Sequence, residues 1–161
     1  MQYFTTATTL LSAALLAGAA PTAPLETRSC SVAYPQSIGF PINYHISQSA
    51  NGAKKVLNAL TFSNIPAGAF GCQLEVNFPA AYAIQSSGNS QINVWTANGQ
   101  RKLFGTVTLA SSPVAPTKFV INSATCQNVM SYSLEIASED QAGSVAFADT
   151  QDAGFTMAYN C

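Results

Sequence analysis

Along most of the chain, apolar and polar residues alternate one by one over short runs, and turn-forming residues separate the runs. In CQLEVNF (72–78), Cys72, Leu74, Val76 and Phe78 share one parity while Gln73, Glu75 and Asn77 share the other. A period of two is what a strand with one buried and one wet face requires. The same pattern predicts strands in CSVAY (30–34), NYHIS (43–47), KVLNALTFS (55–63), SQINVWTA (90–97), KLFGTVTLA (102–110), TKFVINS (117–123), MSYSLEIAS (130–138), GSVAFAD (143–149) and GFTMAYN (154–160). Between the runs stand Pro35, Asn51-Gly52, Pro66 to Gly68, Ser87-Gly88-Asn89, Asn98-Gly99, Pro113 to Pro116, Gly143 and Gly154. These residues supply a positive φ or hold φ near about −65°. Asn98-Gly99 is the strongest hairpin signal, because a type I′ turn needs positive φ at both central positions.

No amphipathic segment of helical period extends beyond about two turns. About eight to ten strands with turns between them predict an all-β fold, and an antiparallel β-sandwich is preferred over a closed barrel. One longer connection, AAYAIQSSGNS (80–90), leaves room for a helical turn over Ala80 to Gln85. Within FSNIPAGAFGCQLEVNFPA (62–80), Pro66 and Gly68 turn the chain and Pro79 ends the strand, so this stretch is scaffold.

The first twenty residues break the pattern. They carry no charged side chain, run apolar from Leu10 to Ala20, and offer Ala17-Gly18-Ala19 as an A-x-A cleavage site. The run is too short to cross a bilayer, so residues 1–20 read as a secretory signal peptide. Residues 21–29 read as a flexible segment or a short propeptide trimmed after Arg28, since Pro21 and Pro24 disfavour regular structure. The domain proper is residues 30–161, a length that fits one domain.

Four cysteines, Cys30, Cys72, Cys126 and Cys161, are an even number in a chain expected to be exported. Two disulfides are the default there. Three pairings exist, and Cys30–Cys161 with Cys72–Cys126 is favoured because the ends of a strand-built domain often meet. The close C-x-x-C or His spacing of a metal site is absent, so no metal and no cofactor are expected.

Counting from Ser29, which leaves out Glu26 and Arg28, six acids and five bases remain. The only basic clusters are Lys54-Lys55 and Arg101-Lys102. A surface without a basic stripe excludes nucleic acid as a natural partner. Apart from the leader there is no apolar span, and the closing FTMAYNC is no lipid-anchor signal. No Asn begins an N-x-[ST] sequon, so N-glycans are not expected. A soluble, extracellular protein is the expectation.

FSNIPAGAFGCQLEVNFPAAYAIQSSGNSQINVW, LFGTVTL, CQNVMSYSLEIAS and the closing GFTMAYNC carry a family resemblance. Phe62 before the I-P turn, Cys72 ahead of the alternating strand, S-G-N-S at 87–90, Cys126 and Cys161 together resemble the fungal ubiquitin-three-binding But-two C-terminal domain family, over roughly Val56 to Cys161. The resemblance implies a β-rich secreted or surface domain of fungal type. The family name comes from an intracellular partner of one member, and the leader argues against that role here.

Candidate chemistry is sparse. The single histidine, His45, lies in a strand-like run and would need a nucleophile and a carboxylate to converge on it. No G-x-S-x-G elbow is present. A small hydrolase acting on polysaccharide would need two carboxylates about 5–10 Å apart, with Glu75, Glu135, Glu139-Asp140 and the pair Asp149 and Asp152 as the acids on offer. Asp149 and Asp152, three apart with a turn at Gly154, raise a calcium reading, but the spacing does not match an EF-hand loop and reads as a polar turn. Among Trp95, Phe104, Tyr82 and Tyr44, which could stack on sugar rings, Trp95 is the best contact candidate: if Ile92 and Val94 point inward, Trp95 points out. The expected function is a non-catalytic extracellular or cell-wall-associated interaction module, with wall polysaccharide or an extracellular protein as partner.

Overall fold

Every run of alternating residues forms a strand in the computed structural model, which describes residues 29–36, 38–39 and 41–161. The expected leader, and all of the segment 21–29 except Ser29, lie outside the described residues. The strands are β1 (Ser31–Ala33), β2 (Ile42–Gln48), β3 (Asn58–Phe62), β4 (Cys72–Phe78), β5 (Gln85–Gly88), β6 (Gln91–Thr96), β7 (Leu103–Thr108), β8 (Thr117–Ala124), β9 (Met130–Ile136), β10 (Gly143–Asp149) and β11 (Gly154–Tyr159). One sheet has the order β1-β11-β4-β8, a second β3-β9-β6-β7, and a third β2-β10-β5. All pairings are antiparallel.

Parity decides what goes inside. Leu74, Val76 and Phe78 of β4 are buried, and Leu74 and Val76 stand in register with Met157 and Phe155 of β11. Ile92 and Val94 of β6, Tyr132, Leu134 and Ile136 of β9, and Val145 and Phe147 of β10 complete the same core. The third sheet is joined to the first through aromatic rings: Phe147 lies 5.6 Å from Phe78 and 5.8 Å from Phe155, and Tyr44 lies 5.6 Å from Phe155. Burying each such side chain is worth about 1.5–3 kcal/mol, which makes this shared core the main force holding the sheets together.

The two four-stranded sheets also touch at their edges. Pro35 forms an isolated bridge with Phe62, and the Gln36 N–H donates to the Thr61 carbonyl at 2.8 Å. A proline fits at such an edge because it has no N–H to leave unpaired. On the opposite edge, Asn122 Nδ2 donates to the Phe104 carbonyl at 2.6 Å. The ladders stay separate, so the architecture is a β-sandwich.

Both disulfides pair as favoured, Cys30–Cys161 with Cα atoms 4.5 Å apart and Cys72–Cys126 with Cα atoms 5.1 Å apart. The termini do meet: Ser31 of β1 is in register with Tyr159 of β11.

Two local expectations change. Ala80 to Gln85 is not helical; Ala81 adopts a left-handed φ of 57°, its N–H donates to the Ser112 carbonyl at 2.7 Å, and the chain then enters β5, an eleventh strand one above the expected range. A left-handed alanine ends any helix at that point. Nor is Asn98-Gly99 a two-residue type I′ turn, because only Gly99 has positive φ. The Thr96 N–H instead donates to the Lys102 carbonyl at 2.9 Å across a longer loop, and Asn98 Nδ2 donates to the Val129 carbonyl at 2.8 Å. The asparagine is spent on a tertiary hydrogen bond.

Candidate functional site

Strand β10 carries small residues at every outward position. Ser144, Ala146 and Ala148 face out while Val145, Phe147 and Asp149 face in. Its neighbours raise walls on both sides. Ser144 is in register with Ser47 of β2 and Ser87 of β5; Ala146 with His45 and Gln85; Ala148 with Asn43. The result is a groove along the third sheet, with a hollow of about 680 Å³ at the Ser144 end and one of about 460 Å³ at the Ala148 end. Over the seven residues of β10 the groove runs roughly 20 Å.

The lining mixes polar side chains of β2 and β5 with apolar residues such as Val56, Ala83 and Ala146, and carries no carboxylate. Ser87 and Ser144 share a hydrogen bond of 2.8 Å, and Lys54 stands at one end. At the other end Tyr82 stacks on Phe78 at 5.3 Å and donates its hydroxyl to the Ala148 carbonyl at 2.6 Å. The His45 backbone N–H donates to Asn58 Oδ1 at 2.8 Å, which caps the free edge of β2 and leaves the imidazole exposed in the groove wall. No acid lines the groove beside His45, so no carboxylate orients its imidazole as in a triad.

Gly143 anchors the groove at one end. A Cβ there would overlap the Asn89 carbonyl, so β10 and the chain following β5 approach only because this position is glycine. Asn89 returns the contact, its N–H donating to the Ala142 carbonyl at 3.0 Å.

Asp149, at the end of β10, is fully buried beneath this groove. Its Oδ2 accepts from the Phe155 N–H at 3.0 Å and its Oδ1 has no partner. Burial pushes the carboxyl up to about 7, with the Phe155 hydrogen bond opposing the shift. The same carboxyl, after burial itself, raises the phenols of Tyr44 and Tyr82. Gly154 follows with φ of 121°, where any Cβ would collide with the carboxylate. The Asp149–Gly154 turn is closed by paired Thr150 and Ala153 hydrogen bonds of 2.7 and 3.4 Å, and Asp152 points to solvent while Asp149 points in.

Trp95 lies on the outer face of the second sheet, since Ile92 and Val94 are fully buried. It is half-buried, however, and its ring is not bare. The Arg101 guanidinium sits 4.1 Å from the ring centroid and pairs with Glu135 at 2.8 Å. The indole N–H is buried without an acceptor. Of the other aromatic residues, Tyr44 is core, and Phe104 packs on Tyr132 at 4.9 Å.

Glu75 and Glu135 do not converge, although Glu135 and Glu139 line one hollow of about 510 Å³ beside Trp95, and Glu75 and Asp152 line another. Glu75 lies on the outer face of the first sheet and pairs with Lys118 at 2.8 Å, whereas Glu135 lies on the outer face of the second. Glu75 is not an ordinary solvated strand residue: it is only 5% exposed. Among the described residues, no group of three or more His, Cys, Asp or Glu side chains could hold a metal ion, and no helix is long and apolar enough to cross a membrane.

Period two, read along GSVAFAD, gives the small outward residues of the groove floor. The walls come from β2 and β5, which nothing in the local sequence assigns to either side of β10. No protein-family model, curated protein or solved structure matches the chain.

Proposed function

We propose that the protein is a secreted, non-catalytic interaction module that holds an extended, uncharged polar chain, a wall polysaccharide, in the groove of the third sheet. In this role it is an exported member of the fungal domain family that its strand and cysteine pattern resembles. The observation that carries the proposal is the groove itself: small side chains on β10 between polar walls on β2 and β5, with no carboxylate in the lining. A floor of Ser144, Ala146 and Ala148 admits a chain close to the sheet, and hydroxyl, amide and imidazole groups along both walls match the hydroxyls of a neutral glycan. Two disulfides suit an oxidising compartment.

Pull-down on insoluble chitin, β-glucan and cellulose tests it. Ala146→Tyr puts a ring on the groove floor from an outward position and leaves the core untouched. At least one of the three polysaccharides is expected to retain the wild-type protein and to release the variant. Trp95→Ala serves as the contrast. Loss of retention in Trp95→Ala with none in Ala146→Tyr would move the binding surface to the second sheet and end the groove proposal.

A further inference from the structure

The outer face of the first sheet hides a carboxylate where a solvated strand position has no need to. In register across it run Thr156 of β11, Glu75 of β4 and Val120 of β8, with Tyr34 following β1 on the far side. Glu75 is 5% exposed although its side chain is on the outer, non-core face, and Lys118 meets its Oε1 at 2.8 Å from a largely exposed position. A threonine or valine would serve a strand at least as well. Burying the carboxylate costs desolvation that a half-exposed lysine repays only in part, so its presence on this face calls for another use.

That use follows from what surrounds it. Glu75 and Lys118 line a cleft of about 310 Å³ together with Tyr34, Asn77 and Thr156, and the Gln151-Asp152 turn closes one end. Asn77 Nδ2 is committed to Thr156 Oγ1 at 2.9 Å, which leaves the amide oxygen as a further acceptor. Tyr34 is 38% exposed and offers a ring wall. Glu75 and Asp152 disfavour an anion in this cleft, and Lys118 disfavours a cation. A neutral ligand with adjacent hydroxyls suits it: one hydroxyl donates to the carboxylate while its neighbour accepts from the ammonium.

We propose that this cleft is a second binding site, separate from the groove, that takes a neutral pyranose through a vicinal diol held between Glu75 and Lys118, with the sugar ring against Tyr34. Glu75 is the acceptor, Lys118 the donor, and Tyr34 the apolar platform. The site lies on a different sheet from the groove and does not depend on it.

The test is titration of ¹⁵N-labelled full-length domain with the methyl glycosides of glucose, mannose, galactose and N-acetylglucosamine, followed by NMR. At least one glycoside is expected to shift the Asn77 side-chain amide and the Thr156 backbone amide. Glu75→Gln should weaken that glycoside at least about tenfold, the loss of a charged hydrogen bond, and so should Lys118→Met, whose position is exposed enough to spare the fold. Tyr34→Ala should weaken it as well, and Ala146→Tyr should leave it unchanged. No cleft shift with any of the four glycosides overturns the proposal. So does a cleft shift that survives both Glu75→Gln and Lys118→Met. Retained glycoside shifts with lost polysaccharide retention in Ala146→Tyr would uphold this site and the groove independently.

Discussion

Replacing Asp149 by Asn should flatten the dependence of stability on pH. In the folded protein burial pushes the Asp149 carboxyl up to about 7 from the 3.8 of a free aspartate. The native state therefore holds a proton between those values that the unfolded chain releases. A raised carboxyl favours folding below the unfolded value, and that benefit disappears as pH rises towards about 7. About three pH units at ~1.36 kcal/mol each put the loss on the order of 4 kcal/mol between pH 4 and pH 7.5. The side chain is fully buried, with one oxygen bonded only to the Phe155 N–H and the other without a partner, so solvent does little to soften the cost of ionising it. For a domain of this size the loss amounts to roughly 10–20 °C in Tm. Scanning calorimetry of the oxidised protein at pH 4, 5.5 and 7.5 reads it directly. Wild type should melt highest near pH 4, while Asp149→Asn, whose amide oxygen still accepts from Phe155, should show a much shallower slope. A wild-type Tm that rises from pH 4 to 7.5, or an equal slope in the variant, would refute the assignment of the buried charge to this residue.

The remaining expectations concern the scaffold. Gly143→Ala should force β10 away from Asn89 and detach β5, seen as faster hydrogen exchange at Ser86 to Gly88 with the Leu74 amide still protected. Phe62→Ala empties a fully buried site next to Tyr132 and should cost about 3–5 kcal/mol in urea unfolding. Opening the disulfides should destabilise by loop entropy, about 4 kcal/mol for the 54-residue separation of Cys72–Cys126 and about 5 kcal/mol for the 131-residue separation of Cys30–Cys161; melting of the two double Cys→Ser variants compares them. Arg101→Ala removes the guanidinium over Trp95 and should shift the emission of this single tryptophan with little change in Tm, because the Arg101–Glu135 pair is largely exposed on the Arg101 side.

Parity along each run was enough to assign faces. It set Trp95 opposite Ile92 and Val94, and the structure puts that pair inside; Asp149, read as part of a polar turn, instead shares the buried side of β10 with Val145 and Phe147. Cysteine number left three pairings, and the one favoured from the meeting of the chain ends is the one the structure holds. These features are local, or depend on a single long-range fact, and side-chain direction in a strand follows from residue parity alone. Which strands lie side by side is a different matter, because partners are chosen by burial and register over the whole chain. β5 shows this: QSSG has no apolar alternation, and it becomes a strand because the free edge of β10 offers it hydrogen bonds. The groove needs Asn43 to Ser47 and Gln85 to Ser87 on opposite sides of β10. The Glu75–Lys118 pair needs β8 beside β4, and the covering of Trp95 needs the loop after β6 to fold back. Local sequence therefore set which way each side chain points, and only the assembled sheets decided what it points at.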